Sequence, residues 1–290
     1  MDRGVRLERG GVMDEALRCY VEAEAHASGP AELSEAVRHQ ADVLRVRCAW
    51  DAALERASQA EAIARDAQLP EQMAEAVNAR AAIEQSRGHL PEASTLYATV
   101  LEISTDPRVR GCALQNLGTM SALNGDHDES TRCFEASLAC FSQAGYDRGV
   151  AIAMNNVGRA SLDRGDHERA EEVLLPAVTL ARQTEDLELA SVALVNLAEA
   201  IAARGELERA EEEASAALGF FKVSGNLWRQ VECFKILGDV RRARGEPDVA
   251  RRLYEQGLVI ADQIGEAREA RAIEHRLTEL QAPEAPPLEM

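Results

Sequence analysis

The chain has 290 residues, 46% of them apolar and 28% charged, with 32 basic against 50 acidic side chains and a formal net charge of −18. That balance excludes the concentrated basic patch that a nucleic-acid backbone or an anionic lipid surface demands, so neither nucleic acid nor membrane is expected as a partner. No apolar run approaches the roughly 18 residues of a membrane span, and Met1-Asp2-Arg3-Gly4 lacks the apolar stretch of a signal peptide, so a cytoplasmic location is expected.

From its N-terminus the chain repeats a pattern of paired helices. A turn falls at positions 11, 48, 88, 125, 165, 205 and 245, six of them glycine and the second Cys48. Five residues after each turn stands a small residue: Ala16, Ala53, Ala93, Ser130, Ala170, Ala210, Ala250. Four further on come Tyr20, Ala57, Tyr97, Phe134, Leu174, Ala214 and Tyr254, and three beyond those Ala23, Ala60, Val100, Ser137, Ala177, Ala217 and Gly257.

Before each turn the apolar residues recur at threes and fours, as in Val192, Leu194, Val195, Leu197, Ala198 and Ile201, which is a broad helical face. Small residues let two helix axes approach, and the larger residue four positions on fills the space between units. Glycine suits a turn that ends a helix in the left-handed conformation, so the turn at Cys48 is expected to differ locally. Asp126 and Asp166 are expected to cap the helices that follow them, and Pro247 fits a first helical turn.

The ends depart from the pattern. Met1 falls near the middle of the first helix, leaving only about residues 2–9, as expected of a segment of a longer protein or of a misassigned start. Residues 265–281 read as a capping helix with Ile273, Leu277 and Leu280 on one face, and 282–290, with Pro283, Pro286 and Pro287, as a disordered tail. The repeat array itself is placed at 1–264.

Catalytic constellations are missing from the sequence: there is no phosphate-binding Gly-x-x-x-x-Gly-Lys loop, no His-Glu-x-x-His and no Gly-x-Ser-x-Gly elbow. The six cysteines (Cys19, Cys48, Cys112, Cys133, Cys140, Cys233) form no Cys-x-x-Cys pair and read as small apolar residues of a reducing compartment. Asp126-His127-Asp128 and Asp166-His167-Glu168 read as polar helix starts rather than metal ligands. The acidic run Glu206, Glu208, Glu211, Glu212, Glu213 reads as a solvated outer face, and Phe220 and Phe221 as packing between units, with Trp228 a binding candidate if exposed. No enzyme activity, cofactor or metal is expected.

The motif Leu117-Gly118, Gly125, Ser130, Phe134, Ser137, recurring as Val157-Gly158, Gly165, Ala170, Leu174, Ala177, resembles the tetratricopeptide repeat. The 40-residue spacing is similar to the subclass in Pins-type adaptors, kinesin light chains and bacterial signal-transduction regulators. The resemblance implies an all-α fold, a right-handed α-solenoid of about seven helix-turn-helix repeats with a C-terminal capping helix, and a protein- or peptide-binding scaffold whose concave groove is lined by the first helix of each repeat. Carried over position by position, the groove residues are Arg38, Asp42 and Arg45; Asn78 and Gln85; Gln115, Asn116 and Thr119; Asn155, Asn156 and Arg159; Asn196 and Glu199; and Glu232, Lys235, Asp239 and Arg242. The centre is expected to be amide-rich and the ends of mixed charge. The alternative is a ligand- or peptide-sensing arm of a bacterial transcriptional or signalling regulator without its output domain. The truncated first repeat also leaves a face that a second copy could cover, which allows self-association.

Overall fold

Glycine and left-handed turns divide the chain into antiparallel helix pairs. The computed structural model describes residues 1–9 and 11–280, in which every regular element is an α-helix. The first of two compact units, Met1–Gly149, holds α1 (Asp2–Arg9), α2 (Met13–Ala25), α3 (Pro30–Val46), α4 (Trp50–Asp66), α5 (Pro70–Ser86), α6 (Leu90–Ile103), α7 (Pro107–Leu123) and α8 (His127–Gln143). In α9 (Asp147–Asp163) the chain passes into the second unit, which begins at Val150. It continues with α10 (His167–Gln183), α11 (Leu187–Ala203), α12 (Leu207–Ser224), α13 (Leu227–Ala243), α14 (Pro247–Ile264) and α15 (Ala267–Glu279). The tail expected at 282–290 lies outside the described residues.

All seven turn positions take the left-handed conformation, Cys48 included at φ 57°. The expected local difference at Cys48 is therefore absent. Its N–H donates to the Arg45 carbonyl at 3.0 Å and the Ala49 N–H to Leu44 at 2.9 Å, the same two bonds that Gly88 and His89 make. Those bonds satisfy carbonyls at the helix end and hold the turn even without glycine. A second set of left-handed residues, Gln68, Gly145, Glu185, Gly225 and Gly265, closes the connections between repeats. As expected, Asp126 and Asp166 accept from the N–H groups of Glu129 and Arg169, and Pro247 opens α14.

Within a pair, the helices touch where one residue is small. A β-carbon added to Gly4, Gly118, Gly158 or Gly238 would lie 2.6, 2.7, 2.4 or 2.3 Å from the side chain of Tyr20, Phe134, Leu174 or Tyr254 respectively. The small residues five positions after each turn, and the larger ones four further on, are all buried. In α15 the positions that carry Leu194 or Phe234 and Ala198 or Gly238 in the preceding first helices are occupied by Glu274 and Thr278, both exposed.

The two 37-residue spacings have a physical origin in shorter second helices. α2 has 13 residues and α6 has 14, against 17 or 18 in the other second helices. After α6 the chain is extended at Ser104, and Glu71 of α5 gathers the hydroxyls of Ser104 and Thr105 and the Thr105 N–H. Burial raises the Glu71 pKa, but these hydrogen bonds outweigh it and hold the carboxyl below its ordinary range.

The acidic run of α12 is only partly a solvated face. Glu211 bonds Arg241 and Arg244 of the next repeat, and Glu171, forty residues earlier, bonds Arg204 and Arg209 in the same way. These acids stitch successive repeats.

Two stability predictions follow from these contacts. Gly238→Ala forces a methyl group into the Tyr254 ring and lowers stability by about 1–3 kcal/mol, whereas Gly219→Ala, inside α12 with nothing within 4 Å, raises it by about 1 kcal/mol; urea denaturation separates the two. Because the Glu71 pKa is depressed on folding, its contribution is complete above the unfolded carboxylate pKa and disappears as pH falls through the folded one. Glu71→Gln should therefore be less stable than the native chain at neutral pH, with the difference closing on acidification.

Candidate functional site

In the first unit, residues from three successive first helices meet. Asp42 and Arg45 of α3, Asn78 and Gln85 of α5, and Gln115 and Asn116 of α7 line one cavity of about 520 Å³. Ser86, Cys112 and Tyr97 complete its wall. Tyr97 arrives from the second helix α6; its buried ring packs in the core of the unit and its hydroxyl donates to Gln85 Oε1 at 2.8 Å. Burial pushes both the Tyr97 phenol and the Cys112 thiol above their usual pKa, so both are neutral walls.

The charges of this cavity are unevenly matched. Arg38, outside it, donates to Asp42 at 2.9 Å and lies 3.3 Å from Glu75, so the Asp42 carboxylate already has its cation. Arg45 reaches only the Ser86 hydroxyl, at 3.5 Å, and has no carboxylate partner among the described residues. Its Nε is buried without a hydrogen-bond partner, and so is Asn78 Oδ1. Thr119 turns away and donates to the Gln115 carbonyl of its own helix.

In the second unit the corresponding residues are bonded to one another. Asn196 Nδ2 donates to Asn155 Oδ1 at 2.9 Å, and the two residues are only 6% and 8% exposed. Asn156 is half-buried beside them. Arg159 pairs with Asp163 at 2.8 Å and Glu199 at 2.7 Å. Lys235 is held by Glu269, Asp239 by Arg276 at 2.9 Å and by the Tyr254 hydroxyl at 2.7 Å, and Arg242 by Glu279. Glu232 meets Arg229 at 2.6 Å, yet burial pushes its carboxyl pKa up. Together with Trp228, which is 38% exposed, most of these groups surround a cavity of about 420 Å³.

Sequence reasoning did not single out Tyr97 or Cys112 as walls, nor Glu269 and Arg276 as partners of the candidate residues. The signal for Arg276 was available: it stands forty residues after Ile236 and eighty after Asn196, on the same register position. Helix α15 thus contributes Arg268, Glu269 and Arg276 to this cavity. One cluster with metal-ligand atoms within 4.8 Å of each other, Glu84, His89 and Glu92, lies at the third turn. Glu84 is already bonded there by His89 at 2.7 Å and by Arg87 at 3.3 Å.

Among the described residues no helix is long and apolar enough to cross a membrane. Residues 110–183 match the family model of the tetratricopeptide repeat. No curated protein sequence matches the chain. Solved structures that share its fold include the following three. A signal-transduction ATPase with numerous domains from Pyrococcus horikoshii, which has a tetratricopeptide-repeat sensor, is 14% identical with a TM-score of 0.72 over 94% of this chain and 43% of its own. A Rap protein in complex with competence and sporulation factor gives 18%, 0.62, 96% and 73%. The Cut9–Hcn1 hetero-tetramer of the APC/C gives 15%, 0.72, 96% and 48%. The chain thus spans less than half the length of the ATPase. Residues 110–183 thus match the tetratricopeptide repeat, and the same helix pair recurs on either side of that segment.

Proposed function

We propose that the protein is a non-catalytic, cytoplasmic interaction module that holds an extended peptide segment against the first helices of its N-terminal unit. The observation that carries this reading is the convergence of side-chain amides from α5 and α7, with Arg45 of α3, on one cavity. An amide offers both a donor and an acceptor, so a row of them can bond the unpaired main chain of an extended segment without demanding one side chain. The titratable walls are neutral or already paired, which leaves no base and nucleophile pair in the cavity.

A second reading is favoured by the likeness to an ATPase sensor more than twice as long. In it the chain is the peptide-sensing arm of a bacterial regulator, and occupancy of the same cavity is passed to an output domain on another chain or segment.

The site is tested with peptides selected from a displayed random library on the native chain. Asn78→Ala with Asn116→Ala should weaken the selected peptides about tenfold or more while leaving the melting temperature unchanged. Asn196→Ala, which leaves Asn155 Oδ1 buried and unpaired, should instead lower stability by about 1–3 kcal/mol with peptide affinity retained. Loss of binding in Asn196→Ala alone would move the site to the second unit.

A further inference from the structure

We infer that the second unit carries a binding site for a free medium-chain fatty acid, in a groove between the second helices α12 and α14. The groove, about 500 Å³, is lined by Lys222 of α12 and by Arg252, Glu255, Val259 and Ile260 of α14, with the buried Phe234 of α13 between them. It shares no residue with the cavity assigned to peptide, so neither reading rests on the other. Its apolar surface and its cations both lack partners. Val259 is 68% exposed and Ile260 beside it is half-buried. The Lys222 ammonium lies 5.4 Å from the centre of the Phe234 ring, over an apolar surface rather than against a carboxylate. Arg252 has no carboxylate partner among the described residues, although Glu255 follows it by one turn on the same helix.

Charge and shape together describe the complement. Two cations against one carboxylate leave the groove positive in a chain of formal charge −18, which calls for an anion. The lining also gives that anion a direction. Arg252 stands at one end and Val259 and Ile260 at the other, about 12 Å apart along α14 from position 252 to position 260 at 1.5 Å per residue. A carboxylate received by the Arg252 guanidinium through paired N–H bonds therefore sends its hydrocarbon chain past Phe234 toward Val259 and Ile260. The apolar stem of Lys222 covers that chain while its charge adds to the field. An inorganic anion leaves Val259 and Ile260 exposed, and a wholly apolar molecule leaves Arg252 unused. An amphipathic helix needs a broad apolar face to lie on, and three apolar side chains in a strip do not make one.

Octanoate, octan-1-ol and acetate are titrated separately into the full chain labelled at its valine and isoleucine methyl groups, following the signals of Val259 and Ile260. The expected result is that octanoate moves both signals and binds at least about tenfold more tightly than octan-1-ol, with the difference shrinking as salt is added. Acetate at the same concentration should move neither signal. Arg252→Gln should bring octanoate down to the affinity of octan-1-ol, and Arg252→Lys should restore part of the preference. Val259→Ser should weaken octanoate and octan-1-ol alike. Both positions are exposed, so the melting temperatures of these variants should match that of the native chain.

Equal binding of octanoate and octan-1-ol would overturn the selection of an acid, and signals that move as far with acetate would reduce the groove to an anion contact. If neither eight-carbon probe moves Val259 and Ile260, the groove is no fatty-acid site. Signals that shift instead with the concentration of the protein alone would assign the groove to a second copy of the chain and overturn the fatty-acid reading.

Discussion

The contact on which each repeat depends is the close approach of its two helices, made where a residue with little or no side chain faces a larger one. Gly238 under Tyr254 and Gly118 under Phe134 leave no room for even one more carbon. Where the second helix carries only alanine, as at Ala57 and Ala214, the first helix offers Ala41 and Ala198, and all four are fully buried. Every such pair keeps at least one small residue at the crossing, and the helices close-pack around whatever the other one is. Fixing that approach fixes the rotation of each first helix about its axis, and so decides which of its residues turn away from the partner helix.

The tyrosines among the large residues act at both ends. Their rings fill the interhelical space, and their hydroxyls emerge on the far side to bond a polar residue of the first helix: Tyr20 to Glu8, Tyr97 to Gln85, Tyr254 to Asp239. Phenylalanine or leucine at the same place, as at Phe134 and Leu174, packs but cannot make this bond. The core residue therefore reaches the polar face of the first helices, and Tyr97 does so in the cavity that holds Arg45. Fold and site share side chains, and the polar face is positioned by packing rather than by loops.

Much of this was legible in the sequence because it depends on spacing. The forty-residue register located the turns, the small residues and the helix caps, and those are local properties of residues such as Gly125 and Asp126. A second forty-residue series at Gly145, Gly225 and Gly265 was equally visible and marks the connections between repeats. What the register could not supply is which polar neighbours bond each other. Asn155 and Asn196 occupy candidate binding positions, yet each is the other's partner, because the two residues are forty-one apart in sequence and adjacent in space. Glu211 shows the same limit from the other side: as one of five acids in a run it looks solvated, and only the placement of Arg241 and Arg244 reveals a bridge.

The pairing of charges separates the two units more sharply than their composition does. In a chain with 50 acidic and 32 basic side chains, an arginine meets a carboxylate readily, and Arg159, Arg209, Arg241, Arg244 and Arg276 each do. Arg45 does not, and the carboxylate that shares its cavity is held by Arg38. A buried donor left unmatched lowers stability. Such a cost is retained where a group is needed for something other than the fold, and stability is commonly traded for function at sites of this kind. In the second unit Arg159, Lys235, Asp239 and Arg242 are each held in ion pairs and Asn155 is bonded to Asn196, so a ligand there would have to break existing bonds before making its own. The N-terminal cavity asks for no such exchange, and that difference, more than the number of amides, supports placing the proposed peptide site there.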